Sequence, residues 1–352
     1  MHRVSRAWPV GLLTLALALG ACGGDTAGSP SDGGDGSSAA PGGSSAPDDG
    51  DGEATRFSVV SLTFDLAELP FLAALDEMRA DGYSIDYIQM TAAAEIGVEG
   101  VSNGRFQFGG GAFPGWAVGV QQGADVEIIT QRRLNDWQVY GLRDIESCED
   151  LGGRTVAIHS ESSISAAMLR DWVTTECPGT EPNYVIIAGS ENRYAAMIAG
   201  EVDASPVELV DALHLEEEAG DRFHRLTSFS ESLPDLAATV QAVNKSWADE
   251  NPGVVEDLLV ALLEQHRLVA ADPNYLFELA DRYPESVSEP PTQTAVERYA
   301  ALFPVNGGLT EDVLEYTIGF FVTTGNLEEG LTAADIADLS YQAAALEVLG
   351  EE

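Results

Sequence analysis

The chain has 352 residues, of which 58 are Asp or Glu and 17 are Lys or Arg, so its formal charge at pH 7 is −41. This length predicts two domains or one large two-lobed unit, and the 45% hydrophobic content excludes wholesale disorder. The charge argues against nucleic-acid binding, because phosphate contacts need clustered Lys and Arg. Three cysteines are too few for a small disulfide-dense scaffold.

Residues 1–21 have the pattern of a secretory signal peptide. Arg3 and Arg6 precede a short apolar stretch that is well below the length of about 20 residues needed to span a membrane. The stretch ends in LALGAC, which resembles a bacterial lipobox and implies cleavage before Cys22 with a diacylglycerol group on its sulfur. The alternative is an ordinary signal peptide with a chance cysteine. We therefore expect an extracytoplasmic protein that is lipid-anchored to the cell membrane.

Residues 22–54 consist mainly of Gly, Ser, Asp and Pro and predict a disordered linker behind the anchor. A flexible chain of this length holds the folded body about 30 Å from the bilayer. In the rest of the chain, Asp and Glu are spread evenly. This spread favours a general surface adaptation, as in proteins that work in strong salt, over the steering of cationic ligands.

Strands and helices alternate from Phe57 onward, which predicts an α/β fold with mostly parallel sheets flanked by helices. The first series has strands at 56–64, 83–90, 105–110 and 125–130 and helices at 69–82, 92–101 and 114–122. The pattern restarts after Asp144, with strands at 154–159, 183–188, 202–207, 223–229 and 236–244 and helices at 164–176, 192–200 and 208–219. Everything beyond Lys245 predicts helices.

Two such series followed by a helical tail predict two lobes rather than two independent domains. No Gly/Pro-rich linker separates them, so we expect extended crossings near 131–146 and 227–243 that act as a two-strand hinge. The predicted first lobe comprises residues 55–140 and 243–352, and the second comprises 141–242. A ligand cleft is expected outside the carboxyl ends of the strands.

Cys148 and Cys177 can pair in an exported protein. Cys148 lies before the strand at 154–159, and Cys177 ends the helix that runs back beside that strand, so the two should be close. A structural disulfide is expected, and two unpaired buried thiols are the alternative.

Three segments resemble ABC-transporter substrate-binding proteins of the taurine, nitrate, aliphatic-sulfonate and thiamine-precursor (NMT1-like) group. They are IESCEDLGGRTVAIHSESSISAAML (145–169), AAMIAGEVDASPVE (195–208) and the tail segment 243–275. The resemblance implies a type II periplasmic binding protein fold and the capture of a small solute for a membrane permease. The first lobe offers DEMRADGYSIDYI where the group has another pattern, which leaves the solute open.

Several residues are expected to line the cleft. Ser160, Ser162 and Ser163 precede a helix whose exposed amides can bind an anion or a polar oxygen, and the family resemblance implies ligand contact here. Plain helix capping is the alternative reading, and the two are compatible. Asn135 and Trp137 lie on the first crossing and are candidates for the cleft floor, although core or surface positions also fit them.

The segment FGGGAFPGW (108–116) is expected between a strand and a helix of the first lobe. Gly110 would let the backbone approach a solute, and Phe113 and Trp116 would offer flat apolar faces. A tight turn with core aromatics is the alternative.

The expected charges in the cleft conflict. Arg193 opens a helix after a strand and could pair with a sulfonate or carboxylate, or could be solvated. Phe64, Asp65 and Glu208 follow strands in cleft-facing loops. If Asp65 and Glu208 both face the pocket, a cationic or amine-bearing ligand is favoured over a sulfonate.

The sequence contains no H-E-x-x-H, G-x-S-x-G, P-loop or C-x-x-C motif. We therefore expect no catalytic site, no metal site and no cofactor. The expected function is that of a monomeric solute-binding component of an ABC importer, with a small solute and a membrane permease as partners. A ligand sensor or scaffold, or an α/β enzyme without a recognisable motif, is the alternative.

Overall fold

A computed structural model of the protein describes residues 55–61, 65–89, 94–287 and 290–352. The predictions for residues 1–54, which include the signal peptide, Cys22 and the linker, lie outside the described residues, as does Phe64. In the described ranges, no helix is long and apolar enough to cross a membrane.

Two five-stranded sheets form the framework. The first has the strand order β2-β1-β3-β10-β4 and the second β7-β6-β8-β5-β9. The strands of the first sheet are β1 (Arg56–Ser61), β2 (Ser84–Gln89), β3 (Phe108–Ala112), β4 (Val126–Arg133) and β10 (Thr239–Asn244). Those of the second are β5 (Gln138–Leu142), β6 (Thr155–Ile158), β7 (Asn183–Ile186), β8 (Ala204–Val207) and β9 (Phe223–Ser228).

Each sheet contains one reversed strand. β1 is parallel to β2 and β3, whereas β10 is antiparallel to both of its neighbours, β3 and β4. In the second sheet β6 is parallel to β7 and β8, whereas β5 is antiparallel to β8 and β9. The chain passes between the sheets twice, at 134–137 into β5 and at 229–238 into β10. The predicted α/β fold with two mostly parallel sheets is confirmed.

Helices connect the strands and form the tail. Between the strands lie α1 (Leu69–Ala80), α2 (Ala94–Ser102), α3 (Phe113–Gln121), α4 (Ile164–Glu176), α5 (Ser190–Ala199), α6 (Leu209–Ala219) and the short α7 (Phe229–Ser232). The tail has α8 (Lys245–Glu250), α9 (Pro252–Ala271), α10 (Tyr275–Arg282), α11 (Gln293–Ala300), α12 (Glu311–Thr323), α13 (Ala333–Ile336) and α14 (Ser340–Leu349). Short 3-10 turns occur at Leu66–Glu68, Cys148–Leu151 and Pro284–Ser286.

The tail packs on the first sheet. Leu75 and Met78 of α1 and Leu258 and Leu262 of α9 belong to one buried apolar cluster that also contains Phe57 of β1. This packing buries both helices against the sheet, and the stabilisation is of the order of 1.5–3 kcal/mol for each fully buried apolar side chain.

The glycine-rich segment differs from its prediction. FGGGA forms strand β3 itself, and α3 begins directly after it at Phe113. A Cβ atom at Gly110 would overlap the guanidinium of Arg132, and one at Gly109 would overlap the indole of Trp116. The glycines therefore make room for protein side chains, and the prediction that Gly110 exposes backbone to a solute is wrong.

The predicted disulfide between Cys148 and Cys177 is present, with a Cα–Cα distance of 5.9 Å. Cys148 begins the 3-10 turn before β6, and Cys177 lies at the C-terminal end of α4. The alternative of two unpaired thiols is wrong.

Candidate functional site

The carboxyl ends of β4 and β8, one from each sheet, meet beside the first crossing. Arg133 ends β4, and its Nη2 lies 3.7 Å from Oε1 of Glu208, which directly follows β8. Farther out, Nδ2 of Asn326 donates a 2.8 Å hydrogen bond to the carbonyl oxygen of Ser162. Residues of the first sheet and its tail therefore contact the loops that follow strands of the second sheet.

Five residues, which we call the Arg133 cluster, occupy this junction: Asp65, Arg133, Asp136, Glu208 and Tyr299. Arg133 Nη1 and the Tyr299 hydroxyl donate to Oδ2 of Asp65 at 3.1 and 3.2 Å. Arg133 Nη2 lies 3.6 Å from Oδ1 of Asp136. The side chain of Glu208 is 30% exposed, and the other four residues are buried.

Three carboxylates thus share one guanidinium. Burial raises the pKa of Asp136, and Arg133 offsets this only in part. The pKa of Glu208 is raised for the same reason, and the nearby carboxylates raise it further. Burial alone would lower the pKa of Arg133, but Asp136, Asp65 and Glu208 together raise it, so Arg133 stays charged. The cluster carries more acid than base and tends to retain a proton.

A second buried ion pair lies beside the cluster. Arg132 pairs with Glu68, donates to Ser61 Oγ at 3.2 Å and stacks 4.0 Å from the ring centre of Phe71. Tyr87 donates a 2.6 Å hydrogen bond to Oε1 of Glu68, whose pKa is raised by burial. This pair is neutral overall and holds the turn that follows β1.

Arg193 is fully buried and holds two loops of the second sheet. Its Nε donates to the carbonyl oxygen of Pro206 at 3.2 Å, and its Nη1 donates to those of Ile187 and Gly189 at 3.3 and 2.9 Å. Its guanidinium also lies 5.7 Å from the ring centre of Trp137. Nη2 has no hydrogen-bond partner in the described part of the chain. The prediction of a free oxyanion-binding fork is wrong, because the other donor groups bind the backbone.

The serine segment caps α4. Oγ of Ser163 accepts from the amide of Ala166 at 3.4 Å, which is the capping alternative of the sequence analysis. Ser162 is exposed and Ser160 is half-buried. A ligand contact at Ser160, Ser162 and Ser163 stays a prediction.

The aromatic and crossing residues are buried. Phe113 stacks on Phe321 at 5.8 Å between ring centres, and Trp116 is 3% exposed. The predicted solute contact of Phe113 and Trp116 is therefore wrong, because both belong to the core. Asn135 accepts from the amide of Trp137 at 3.3 Å, and both are buried at the junction.

Two cavities flank the Arg133 cluster. The larger has a volume of about 470 Å³, which is within the range of small-molecule sites. Its lining comprises Leu134, Asn135, Asp136, Gln138, Leu209, Arg225, Ser228, Ser230, Pro234, Glu297, Arg298, Ala301 and Leu302. The smaller, about 80 Å³, is lined by residues that include Asp65, His214, Glu217, Thr292 and Tyr299.

Of the predicted site residues, the structure brings Asp65, Asn135, Trp137 and Glu208 together at the junction, and their contact with a solute stays a prediction. The sequence analysis missed three partners. Arg133 and Asp136 adjoin the predicted residue Asn135 in the sequence. Two arginines at the end of a strand, followed by an aspartate, were the signal that could have identified them. Tyr299 had no such signal, because it comes from the tail.

The described ranges contain one group of residues with the spacing of metal ligands. The sole group of His, Cys, Asp or Glu ligand atoms that are mutually close there is Cys148, Glu149 and Cys177. Both thiols of this group form the disulfide.

Solved structures share the fold at low sequence identity. A ligand-binding component of an ABC-type import system from Staphylococcus aureus, with zinc bound, is 11% identical with a TM-score of 0.68, covering 83% of this chain and 99% of that one. The periplasmic aliphatic sulphonate-binding protein SsuA from Escherichia coli is 13% identical with a TM-score of 0.65, covering 81% and 92%. The periplasmic nitrate-binding protein NrtA from Synechocystis PCC 6803 is 11% identical with a TM-score of 0.64, covering 85% and 90%.

Comparison with curated proteins finds no matching sequence. The profile of the family described as NMT1/THI5 like matches residues 79–275, which is more than half of the chain. The match includes all three segments that carry the sequence resemblance, and it runs from the end of α1 through both sheets to the start of α10. The chain therefore belongs to the NMT1/THI5-like family.

Proposed function

We propose that the protein is the extracytoplasmic solute-binding component of an ABC importer. Family membership supports this function, as does the likeness in fold to proteins whose names specify sulfonate or nitrate binding. The observation that carries the proposal is the Arg133 cluster. It draws its polar side chains from both sides of a junction that is spanned by two backbone crossings.

The proposed working cycle is closure of two lobes about the crossings. The lobes are those of the sequence analysis, residues 55–140 with 243–352 and residues 141–242, with their boundaries moved to the crossings at 134–137 and 229–238 so that β5 stays with the second sheet and β10 with the first. Asp65 of the first lobe and Glu208 of the second both lie beside Arg133, so each lobe contributes a carboxylate to the Arg133 cluster. A solute bound between the lobes loses its water, and the closed form offers a changed surface to a permease.

The solute-contacting residues in this proposal are Asp65, Asp136 and Glu208, with Asn135 and Trp137 on the crossing. Phe64 and the serines 160, 162 and 163 are further proposed contacts. The protein acts without catalysis or a cofactor, as a monomer that is anchored through Cys22.

Solution scattering combined with thermal unfolding tests the function. A screen of sulfonates, nitrate, pyrimidines and amines should contain a solute that raises the melting temperature and reduces the radius of gyration of the purified protein. Scattering curves that do not change with any solute, together with an unchanged melting temperature, would contradict lobe closure.

A further inference from the structure

The Arg133 cluster has one guanidinium for three carboxylates, which is a net charge of −2 when all four groups are ionised. We infer that the solute carries a positively charged group, an ammonium, amidinium or guanidinium, that lies against Asp136 and Glu208. The inference rests on the proposed function of solute capture and specifies the chemical class of the solute.

Two carboxylates of the Arg133 cluster, those of Asp65 and Asp136, are not part of the general acidic surface. Asp65 is 7% exposed and Asp136 is 3% exposed. Burying a carboxylate is costly unless it is paired and hydrogen-bonded. Oδ1 of Asp136 accepts no hydrogen bond from the described residues, and its nearest cationic partner, Arg133, is 3.6 Å away and shared. A solute N–H group would supply the missing donor.

The helix terminus at this junction is already occupied by protein carboxylates. The N-terminus of a helix attracts anions, and α6 begins here at Leu209. Oδ2 of Asp136 accepts a 3.2 Å hydrogen bond from the Leu209 amide, and Glu208 is the N-cap residue. An anionic solute would have to displace Asp136 from the Leu209 amide, and Glu208 would repel it.

The arginines around the junction also have partners. Arg132 pairs with Glu68 and Arg133 with Asp65, while Arg193 binds backbone carbonyls. The two arginines that line the larger cavity are paired with carboxylates too: Arg225 with Glu231 at 3.2 Å and Arg298 with Glu216 at 2.8 Å.

The larger cavity provides room for such a solute. Asp136 forms part of its wall, and Leu134, Leu209 and Leu302 contribute apolar surface. The hydroxyl-bearing Ser228 also lines it. A small organic cation would place its charge against Asp136 and its hydrocarbon part against the leucines.

Thermal unfolding and calorimetry with two panels at constant ionic strength test the inference. The cations are the chlorides of ethanolamine, choline, putrescine, agmatine and guanidinium. The anions are the sodium salts of nitrate, ethanesulfonate and isethionate. Taurine, a zwitterion, is compared with isethionate because the two differ only by an ammonium in place of a hydroxyl. We expect at least one cation to raise the melting temperature, no anion to do so, and taurine to bind more tightly than isethionate.

Two charge-removing variants locate the cation. Asp136→Asn and Glu208→Gln keep the side-chain shape, and each should weaken binding of the best cation at least tenfold. Glu250→Gln removes an exposed carboxylate at the end of α8 and should leave the affinity unchanged.

If the protein binds an anion and no cation, the charge class is wrong while solute capture stands. A cation that binds equally well to both variants would also refute the inference. If no compound of either panel binds, solute capture itself is contradicted.

Proton release gives a second readout. The groups that face Glu208 are Arg133 of β4, Asp136 of the crossing, Asp65 after β1, Asp211 of α6, Arg193 of α5 and Tyr299 of α11. Because burial raises the pKa of Glu208 to about 8, this carboxyl group holds a proton near neutral pH that a cation must displace. Cation affinity should therefore rise with pH and then level off, and calorimetry in buffers of different ionisation enthalpy should detect the released proton. An affinity that does not change with pH would contradict this site.

Discussion

Gly110 lies in β3 beneath the guanidinium of Arg132, which reaches over it from β4 to Glu68. The sequence analysis predicted that the backbone at Gly110 approaches a solute, whereas the neighbour in the structure is Arg132. The identity of the neighbour could not be predicted, because β10 lies between β3 and β4 and comes from a distant part of the chain. Only the pairing order of the strands brings Arg132 over Gly110.

Gly110→Ala should lower the free energy of unfolding strongly. Its methyl group would displace Arg132 from Glu68, and breaking a buried ion pair costs about 3–5 kcal/mol. Urea unfolding measures the change. Gly319→Ala is the control, because it lies in α12 with no atom within 4 Å of the added Cβ, and it should stabilise the protein by about 0.5–1 kcal/mol. Equal effects of the two substitutions would contradict the contact.

Charged residues at the junction show which part of a site can be predicted. Asp65 and Glu208 each follow a buried strand, so both could be predicted to lie at the carboxyl ends of strands, where a cleft is expected. Their shared partner Arg133 and the Tyr299 hydroxyl depend on how the two sheets and the tail are placed. The spread of acidic residues along the chain favoured salt adaptation over a cation site, but burial separates Asp65 and Asp136 from the exposed acidic residues.

At the scale of elements, strong periodicity gave reliable predictions and glycine-rich or short segments did not. α4 begins after Ser163 as predicted, and α1 ends at Ala80 before the left-handed Gly82. β3 was predicted at 105–110 but lies at Phe108–Ala112, because three glycines carry no β propensity and their strand forms through pairing with β1 and β10. The short helix α7 in the second crossing was not predicted.

The disulfide should stabilise the second sheet. It closes a loop with a sequence separation of 29, for which the chain-entropy model gives about 3–4 kcal/mol. The variant with Cys148→Ser and Cys177→Ser should therefore unfold at a lower urea concentration than the parent protein. Parent protein in reductant should behave like the variant, and identical midpoints in oxidised parent and variant would refute a structural role.

At the scale of the molecule, two successive α/β series predicted two lobes, because each series contains enough apolar strands for a sheet of its own. The reversed strands β5 and β10 were not predicted, since strand direction within a sheet depends on where each crossing enters it. The crossings themselves were expected within a few residues of where the structure has them.

The proposed lipid anchor concerns the whole molecule, because it determines where the folded body works. Cys22→Ser should move the protein from the membrane fraction to the extracytoplasmic soluble fraction, since the thioether to diacylglycerol can no longer form. Fractionation followed by immunoblotting measures this. Membrane association that survives the substitution, with removal of residues 1–21 unchanged, would contradict the anchor.

β10 is inserted between β3 and β4, although more than a hundred residues separate it from the end of β4. During synthesis, β3 and β4 therefore leave the ribosome as two unpaired edges with a one-strand gap between them, and the gap stays open until the entire second sheet has been made. A nascent chain that stops after Arg133 cannot complete its first sheet. This strand order suits the proposed export of the protein in an unfolded state, with folding only after the whole chain has been translocated.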